Sequence, residues 1–344
     1  MTTGLIMKNY VLAASAAMGL LMAGSASAAT LDNVKSKGYV QCGVSTGLPG
    51  FSIADDKGQW VGLDVDVCRA VAAAIFNDPT KVRFTPLTAK DRFTALQSGE
   101  IDILSRNTTW TMSRDTALGL TFAGVTYYDG QGFMVRKSLN VTSAKELEGA
   151  SICTQTGTTT ELNVADYFRT NGMKYEVVAF ANLDEVMQAY EAGRCEVFTT
   201  DASGLYSNRT KLTNPEEHIV LPEIISKEPL GPLVRQGDDQ WFKVVRWTMS
   251  ALVGAEELGI NQKNVEEQLK SSQNPEIKRM LGAEGEFGPS IGLEKDWAFR
   301  IVKSMGNYGE LFEKNLGQSS PLKIERGLNA LWTKGGLQYG MPIR

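Results

Sequence analysis

Apolar residues recur along this chain in two rhythms, short runs of β-forming residues and longer stretches at helical spacing. Residues 39–44 form a predicted strand, and Ser45-Thr-Gly-Leu-Pro-Gly-Phe51 after them is a turn-rich loop. Asp55-Asp-Lys-Gly58 reads as a hairpin turn. Asp64 is read as the cap of a helix whose apolar positions are Val67, Val71, Ala74 and Ile75, stopped at Asn77-Asp-Pro79. A strand at 81–85, a short helix at 91–97 with Phe93 and Leu96 inward, and a strand at 101–104 follow, with Gly99 closing the helix. This alternation implies a mostly parallel sheet with helices on both faces.

The same rhythm returns further on. Predicted strands at 150–154, 175–180 and 196–199 alternate with helices that start near Thr159 and run over 183–191, the second closed by Gly193. Laying Gly99 on Gly193 places Phe93 on Met187, Leu96 on Tyr190, Ile103 on Val197 and Asn107 on Asp201. Any two helix–strand units share some of this likeness. What the overlay adds is a polar group at a strand's carboxyl end in each half, where open parallel sheets bind ligands. Tyr128-Asp-Gly-Gln-Gly132 and Glu228-Pro-Leu-Gly-Pro232 suit two hinge crossings between the halves. The remainder reads as mostly helical. Trp241, Val244, Val245, Thr248, Met249 and Leu252 make one apolar face, 294–305 a second helix with Trp297, Ile301 and Met305 inward, and 324–332 a last one.

The first thirty residues carry a different message. Lys8 is the lone charge before an apolar run from Val11 to Ala23, and Ala26 and Ala28 follow in an A-x-A cleavage pattern. We read 1–28 as a secretory signal peptide cut before Ala29, with Met7 the better start. The run falls short of the ~20 residues that a membrane anchor needs, and no cysteine at the cut supports a lipid anchor. The expected product is exported. Formal charge is −4, and removal of Lys8 makes it more acidic, which argues against nucleic acid as a partner.

Export changes the meaning of the four cysteines, because the compartment is oxidising. With no C-x-x-C pair and a single histidine, His218 in a loop, a metal site is not expected. Two local bridges, Cys42–Cys68 and Cys153–Cys195, are the expected arrangement, although four cysteines allow three connectivities.

Three segments carry candidate chemistry. Asp102-Ile-Leu-Ser-Arg-Asn107-Thr-Thr109-Trp-Thr-Met-Ser-Arg114 runs from a strand into amide and hydroxyl groups, then an arginine. Arginine offers a two-pronged donor to a carboxylate. Cys153-Thr-Gln-Thr-Gly157-Thr-Thr159-Thr-Glu161 repeats the hydroxyl theme at a helix start, and Glu196-Val-Phe-Thr-Thr-Asp201 ends a strand on a carboxylate suited to an ammonium. Together they match the zwitterionic head of an amino acid. Each also has a plainer use: Arg114 as a surface residue, Asp201 as a helix cap, residues 156–160 as an ordinary helix start.

Val61-Gly-Leu-Asp-Val-Asp66, Gly99-Glu-Ile-Asp102 and Gly-Asn-Tyr-Gly-Glu-Leu-Phe within 305–316 resemble motifs of periplasmic solute-binding proteins of the polar amino-acid class, which feed ABC importers. The resemblance covers 32–235 plus 305–316. A long insertion near 255–303 and a tail at 321–344 resemble the longer, general L-amino acid branch. It implies a two-lobed periplasmic-binding-protein fold of type II. Lobe 1 would span 29–131, lobe 2 132–229, and 230–344 would return to lobe 1 with the insertion and a helical C-terminal extension. It implies that Arg114 clamps the ligand carboxylate, that Thr109 and Asn107 contact carboxylate and ammonium, that Thr159 is the second lobe's hydroxyl, and that Asp201 takes the ammonium. Basic-amino-acid binders carry an acid at the position of Ser45 and an aromatic lid at that of Leu48. Their absence implies a permissive side-chain pocket.

The function so implied is capture of L-amino acids with broad specificity by a monomer, without a cofactor, and delivery to the importer's membrane permease subunits. A second class is an exported enzyme on the same fold, similar to cyclohexadienyl dehydratase. It would need a poised acid or base beside the bound carboxylate. No Ser-His-Asp set is evident, and Glu161, the nearest spare acid, is expected to cap its own helix.

Overall fold

The computed structural model describes residues 30–344, so the proposed signal peptide lies outside the described residues. Helix α1 (Thr30–Lys37) leads into β1 (Val40–Ser45), the short hairpin β2 (Ile53–Ala54) and β3 (Trp60–Val61), and helix α2 (Leu63–Phe76). Then come β4 (Val82–Leu87), α3 (Arg92–Ser98), β5 (Ile103–Leu104), α4 (Met112–Ala117), β6 (Leu120–Phe122) and β7 (Tyr127–Asp129). The second half holds β8 (Gln131–Arg136), β9 (Ser151–Gln155), α5 (Thr160–Thr170), β10 (Glu176–Phe180), α6 (Leu183–Glu191), β11 (Val197–Asp201), α7 (Ala202–Arg209) and β12 (His218–Val220). The chain returns through β13 (Glu228–Leu230) to β14 (Leu233–Arg235). The last helices are α8 (Asp239–Glu257), α9 (Val265–Ser271), α10 (Pro275–Met280), α11 (Phe287–Ser290), α12 (Trp297–Met305) and α13 (Tyr308–Asn315).

Two five-stranded sheets result, in the orders β4-β1-β5-β14-β6 and β10-β9-β11-β8-β12. Four strands of each run in one direction, and the strand that enters after a crossing, β14 or β8, runs against them. The repeat read from the sequence is therefore a repeat of topology. Leu96 and Tyr190 are both fully buried, as are Ile103 and Val197. Gly99 and Gly193 both adopt positive φ, at 82° and 77°, which glycine does without steric cost. Each lobe carries its own expected disulfide, Cys42–Cys68 tying β1 to α2 and Cys153–Cys195 tying β9 to the approach of β11.

Helix α2 is alanine-rich and buried along nearly its whole length, so it sits between the sheet and the C-terminal helices. Its N-cap is Gly62, not Asp64; a Cβ at Gly62 would lie 2.2 Å from the carbonyl oxygen of Phe51. Asp64 instead turns inward and accepts a 2.8 Å bond from the Asn107 amide. The insertion supplies α12, which packs on α2 and α8, so it thickens lobe 1. Trp241, Val244, Val245 and Leu252 of α8 are buried as the periodicity implies, each such side chain contributing about 1.5–3 kcal/mol. Helix α13 opens with a capping box formed by Asn307 and Glu310.

Two further expectations fail in detail. Residues 324–332 are not a helix but two 3₁₀ turns, Gly327–Asn329 and Trp332–Lys334, wrapped on lobe 1. Their polar groups bond to other parts of the protein, as described below, in place of a helical ladder. His218 is not in a loop; it opens β12, is buried, and lies 2.8 Å through Nδ1 from the Tyr190 hydroxyl.

Candidate functional site

The carboxyl ends of β5 and β11 face each other across a cleft. Its lining is Arg92, Arg106, Asn107, Thr109 and Arg114 from one lobe, and Gln155, Thr158, Thr159, Thr160, Thr200 and Asp201 from the other. Five sequence candidates, Asn107, Thr109, Arg114, Thr159 and Asp201, are thus brought together. Ser45 and Leu48 are not part of this lining. Ser45 is buried at the end of β1, where its N–H donates to Ser52 Oγ, and Leu48 packs into the core.

Local chemistry explains the placement. Asn107 takes a left-handed turn, φ 32°, which asparagine tolerates better than most residues, and this turns the chain out of β5. Thr109 bridges to Leu230, and the Trp110 amide bonds to the Pro229 carbonyl at 2.7 Å, so the segment lies along the returning hinge strand. Thr111 caps α4 by accepting from the Arg114 amide. That places the Arg114 side chain back over the cleft, where Nη1 donates to the Thr109 carbonyl at 3.0 Å. Thr159 is the N-cap of α5, so the positive end of that helix points at the cleft, a site for an anion. Its hydroxyl donates to Glu228 and lies 3.4 Å from the Thr109 hydroxyl of the opposite lobe. Asp201 precedes α7 but makes no side-chain cap bond.

Two guanidiniums escaped the sequence reading. Arg92 lies in the buried stripe of α3 with Ala95 and Leu96, and its Nε has no partner. An arginine at an apolar-periodic position was the signal available. Arg92 spans the cleft, donating to Thr108 Oγ1 at 3.3 Å and to the Gly157 carbonyl at 3.4 Å. Arg106 is buried beside it and donates to the Leu87 carbonyl at 3.0 Å. In the overlay of the halves it falls on Thr200, so both positions face the cleft.

The electrostatics follow from crowding dry charges. Burial pushes Arg92 well below its usual range, the neighbouring Arg106 and Arg114 push it further, and Asp201 opposes them. Burial likewise lowers Arg106 to about 10, against the attraction of Asp64. Asp201 is held well above the usual carboxylate range by burial and by Asp129 and Glu228. A bound carboxylate would relieve the arginines, and a bound ammonium would relieve Asp201. One zwitterion does both.

Residues 40–264 match the bacterial extracellular solute-binding proteins, family 3. The chain belongs to that family. The chain is similar to the general L-amino acid-binding periplasmic protein AapJ of Rhizobium johnstonii, 65% identical over 342 residues, 98% of this chain and 100% of that one. The glutamate/glutamine/aspartate/asparagine-binding protein BztA of Rhodobacter capsulatus is 56% identical, covering 98% of this chain and 100% of its own. A Brucella ovis ABC transporter periplasmic binding protein with glutathione bound superposes with a TM-score of 0.91. It is 63% identical and covers 92% of this chain and 100% of that chain. The likeness to AapJ and BztA thus runs through the insertion and the tail.

Proposed function

We propose that this protein captures free L-amino acids with broad specificity in the periplasm and presents them, by hinge closure, to the permease of an ABC importer. The observation that carries the reading is the pairing of an arginine-rich wall with Asp201 in one closed cleft, the charge pattern of an amino-acid head group. Its chain-long likeness to amino-acid-binding relatives supports it. In this reading lobe 1 comprises 29–131 and 230–344 and lobe 2 comprises 132–229. Residues 1–28 are the export signal, and no chemistry is performed on the ligand. Glu161 supports this last point, since it accepts from the Gly157 amide at 3.1 Å within its own helix start.

One specific observation favours a second ligand. Three guanidiniums exceed what a single α-carboxylate needs, and the Brucella ovis relative holds glutathione, so a γ-glutamyl peptide is a competing occupant. A thermal-shift screen against the twenty L-amino acids and glutathione tests both, because binding protects the folded state by mass action. Protection by many amino acids supports the reading; protection by glutathione alone replaces it.

A further inference from the structure

The two hinge strands have their outer edges occupied on both sides, and the occupant of one side comes from the C-terminal tail. Tyr128, in β7, faces Pro229 of β13, which has no N–H to give. The backbone polar groups of Tyr128 are met by the side chain of Asn329. Its Oδ1 accepts from the Tyr128 amide at 2.7 Å, and its Nδ2 donates to the Tyr128 carbonyl at 3.1 Å. One buried side-chain amide thus does the work of a neighbouring strand. Arg326 holds it there. That guanidinium donates to the Asn329 carbonyl through Nε and Nη2, at 3.0 and 2.9 Å, and pairs in two-pronged fashion with Glu256 of α8, both bonds 3.1 Å.

On the far edge of β13, the Pro229 carbonyl accepts from Trp110, and the Gly231 amide donates to the Thr108 carbonyl at 3.0 Å. Thr109, between them, accepts from Arg114. The row is continuous: Asn329, β7, β13, the 108–110 segment, Arg114. The next rung is fastened to the other lobe. Asp129 accepts from Ser203 of α7, and Glu228 accepts from Thr159 and Asn163 of α5. In both crossings, then, the change of allegiance falls between the same two rungs, Tyr128/Pro229 and Asp129/Glu228.

We propose that Asn329 is a positioning residue for ligand binding: it pins Tyr128 to lobe 1, confines the pivot to one rung of the hinge, and through the β7–β13 ribbon holds Thr109 and Arg114 in their closed-state places. This rests on the amino-acid-binding reading above. It goes beyond it by giving the tail, which lies outside the family match at 40–264, a part in binding without touching the ligand. A fraction of molecules with an unpinned pivot lowers apparent affinity in proportion.

The test uses full-length mature protein carrying Asn329→Leu, with Arg326→Met as a second variant that leaves Asn329 in place but unsupported. Amide hydrogen exchange is measured without ligand, and L-glutamate is titrated calorimetrically. In both variants, exchange at Tyr128, Trp110 and Gly231 should quicken by about tenfold or more, while amides of β9 and β10 in lobe 2 keep their native rates. The Kd for L-glutamate should rise by about tenfold. Quickening at Tyr128 alone, or equal quickening in β9 and β10, would overturn the proposal, as would a Kd within about twofold of native. If native protein takes no L-glutamate, the reading of the ligand falls, and the exchange rates at Trp110 and Gly231 still decide the matter.

Discussion

Arg92 of lobe 1 lies 3.4 Å from the carbonyl of Gly157 in lobe 2. With the Ser207 hydroxyl bonding to the Pro49 carbonyl at 2.7 Å, it marks this as a closed arrangement of the lobes. Closure depends on a small residue at 157. Gly157 has φ 76°, and a Cβ there would sit 3.3 Å from the Cα of Lys90 on the opposite lobe. Gly157→Ala should therefore weaken ligand more than it weakens the fold. The left-handed conformation costs about 1–2 kcal/mol in either state of the hinge, whereas the tight contact, to which the Lys90 backbone must yield by a few tenths of an ångström, exists only when the lobes meet. Calorimetric titration and thermal unfolding of the ligand-free variant separate the two; equal losses in both would refute the closure argument.

Arg114→Ala should abolish useful binding of every amino acid tested. A desolvated carboxylate left without its partner costs roughly 2–5 kcal/mol. Near-native affinity by titration would move the carboxylate site to Arg92 or Arg106, the other two guanidiniums of the lining.

Buried Asp64 predicts a pH dependence of stability. Burial raises its carboxyl from 3.8 to about 7, against the pull of the Asn107 amide and Arg106. The folded state then holds a proton that the unfolded state has lost, so this group's contribution is full below pH 3.8 and disappears as pH rises through about 7. Asp64→Asn removes the effect. Between pH 4 and pH 7.5 the variant should gain stability relative to native protein, by at most about 4 kcal/mol. Denaturant unfolding across the range gives the difference; a constant difference would show that Asp64 does not titrate there.

The legibility of this fold in its sequence was uneven for physical reasons. Leu96 and Tyr190, or Asn107 and Asp201, could be paired in advance because both halves use the same helix–glycine–strand spacing. Residues 324–332 misled because Ile324, Leu328, Leu331 and Trp332 have helical spacing. In the structure Leu328 and Trp332 are more than half exposed, and Asn329 spends its amide on Tyr128. Tertiary bonds there replace a local ladder, and no pattern of apolar residues records that. Arg92 was missed for the converse reason. Periodicity marks it as core, and only its place on the cleft wall, with Asp201 in the same lining, explains a cation there.

Asp201 gives the sharpest test of the head-group assignment, because binding must change its ionisation. In the closed arrangement of the lobes burial holds its carboxyl well above the usual range, with Asp129 and Glu228 adding repulsion and Arg92 and Arg114 only partly opposing it. An ammonium brought beside it favours the ionised form. Ligand should therefore expel a proton from Asp201, and affinity should rise with pH toward the raised value. Asp201→Asn should bind amino acids more weakly and with no proton released at this position, while losing much less for a des-amino analogue that never needed the carboxylate. Titrations in two buffers of different ionisation heat count the protons directly. Native protein that releases none, or a variant that loses the amino acid and its des-amino analogue equally, would show that Asp201 supports the cleft without meeting the ammonium.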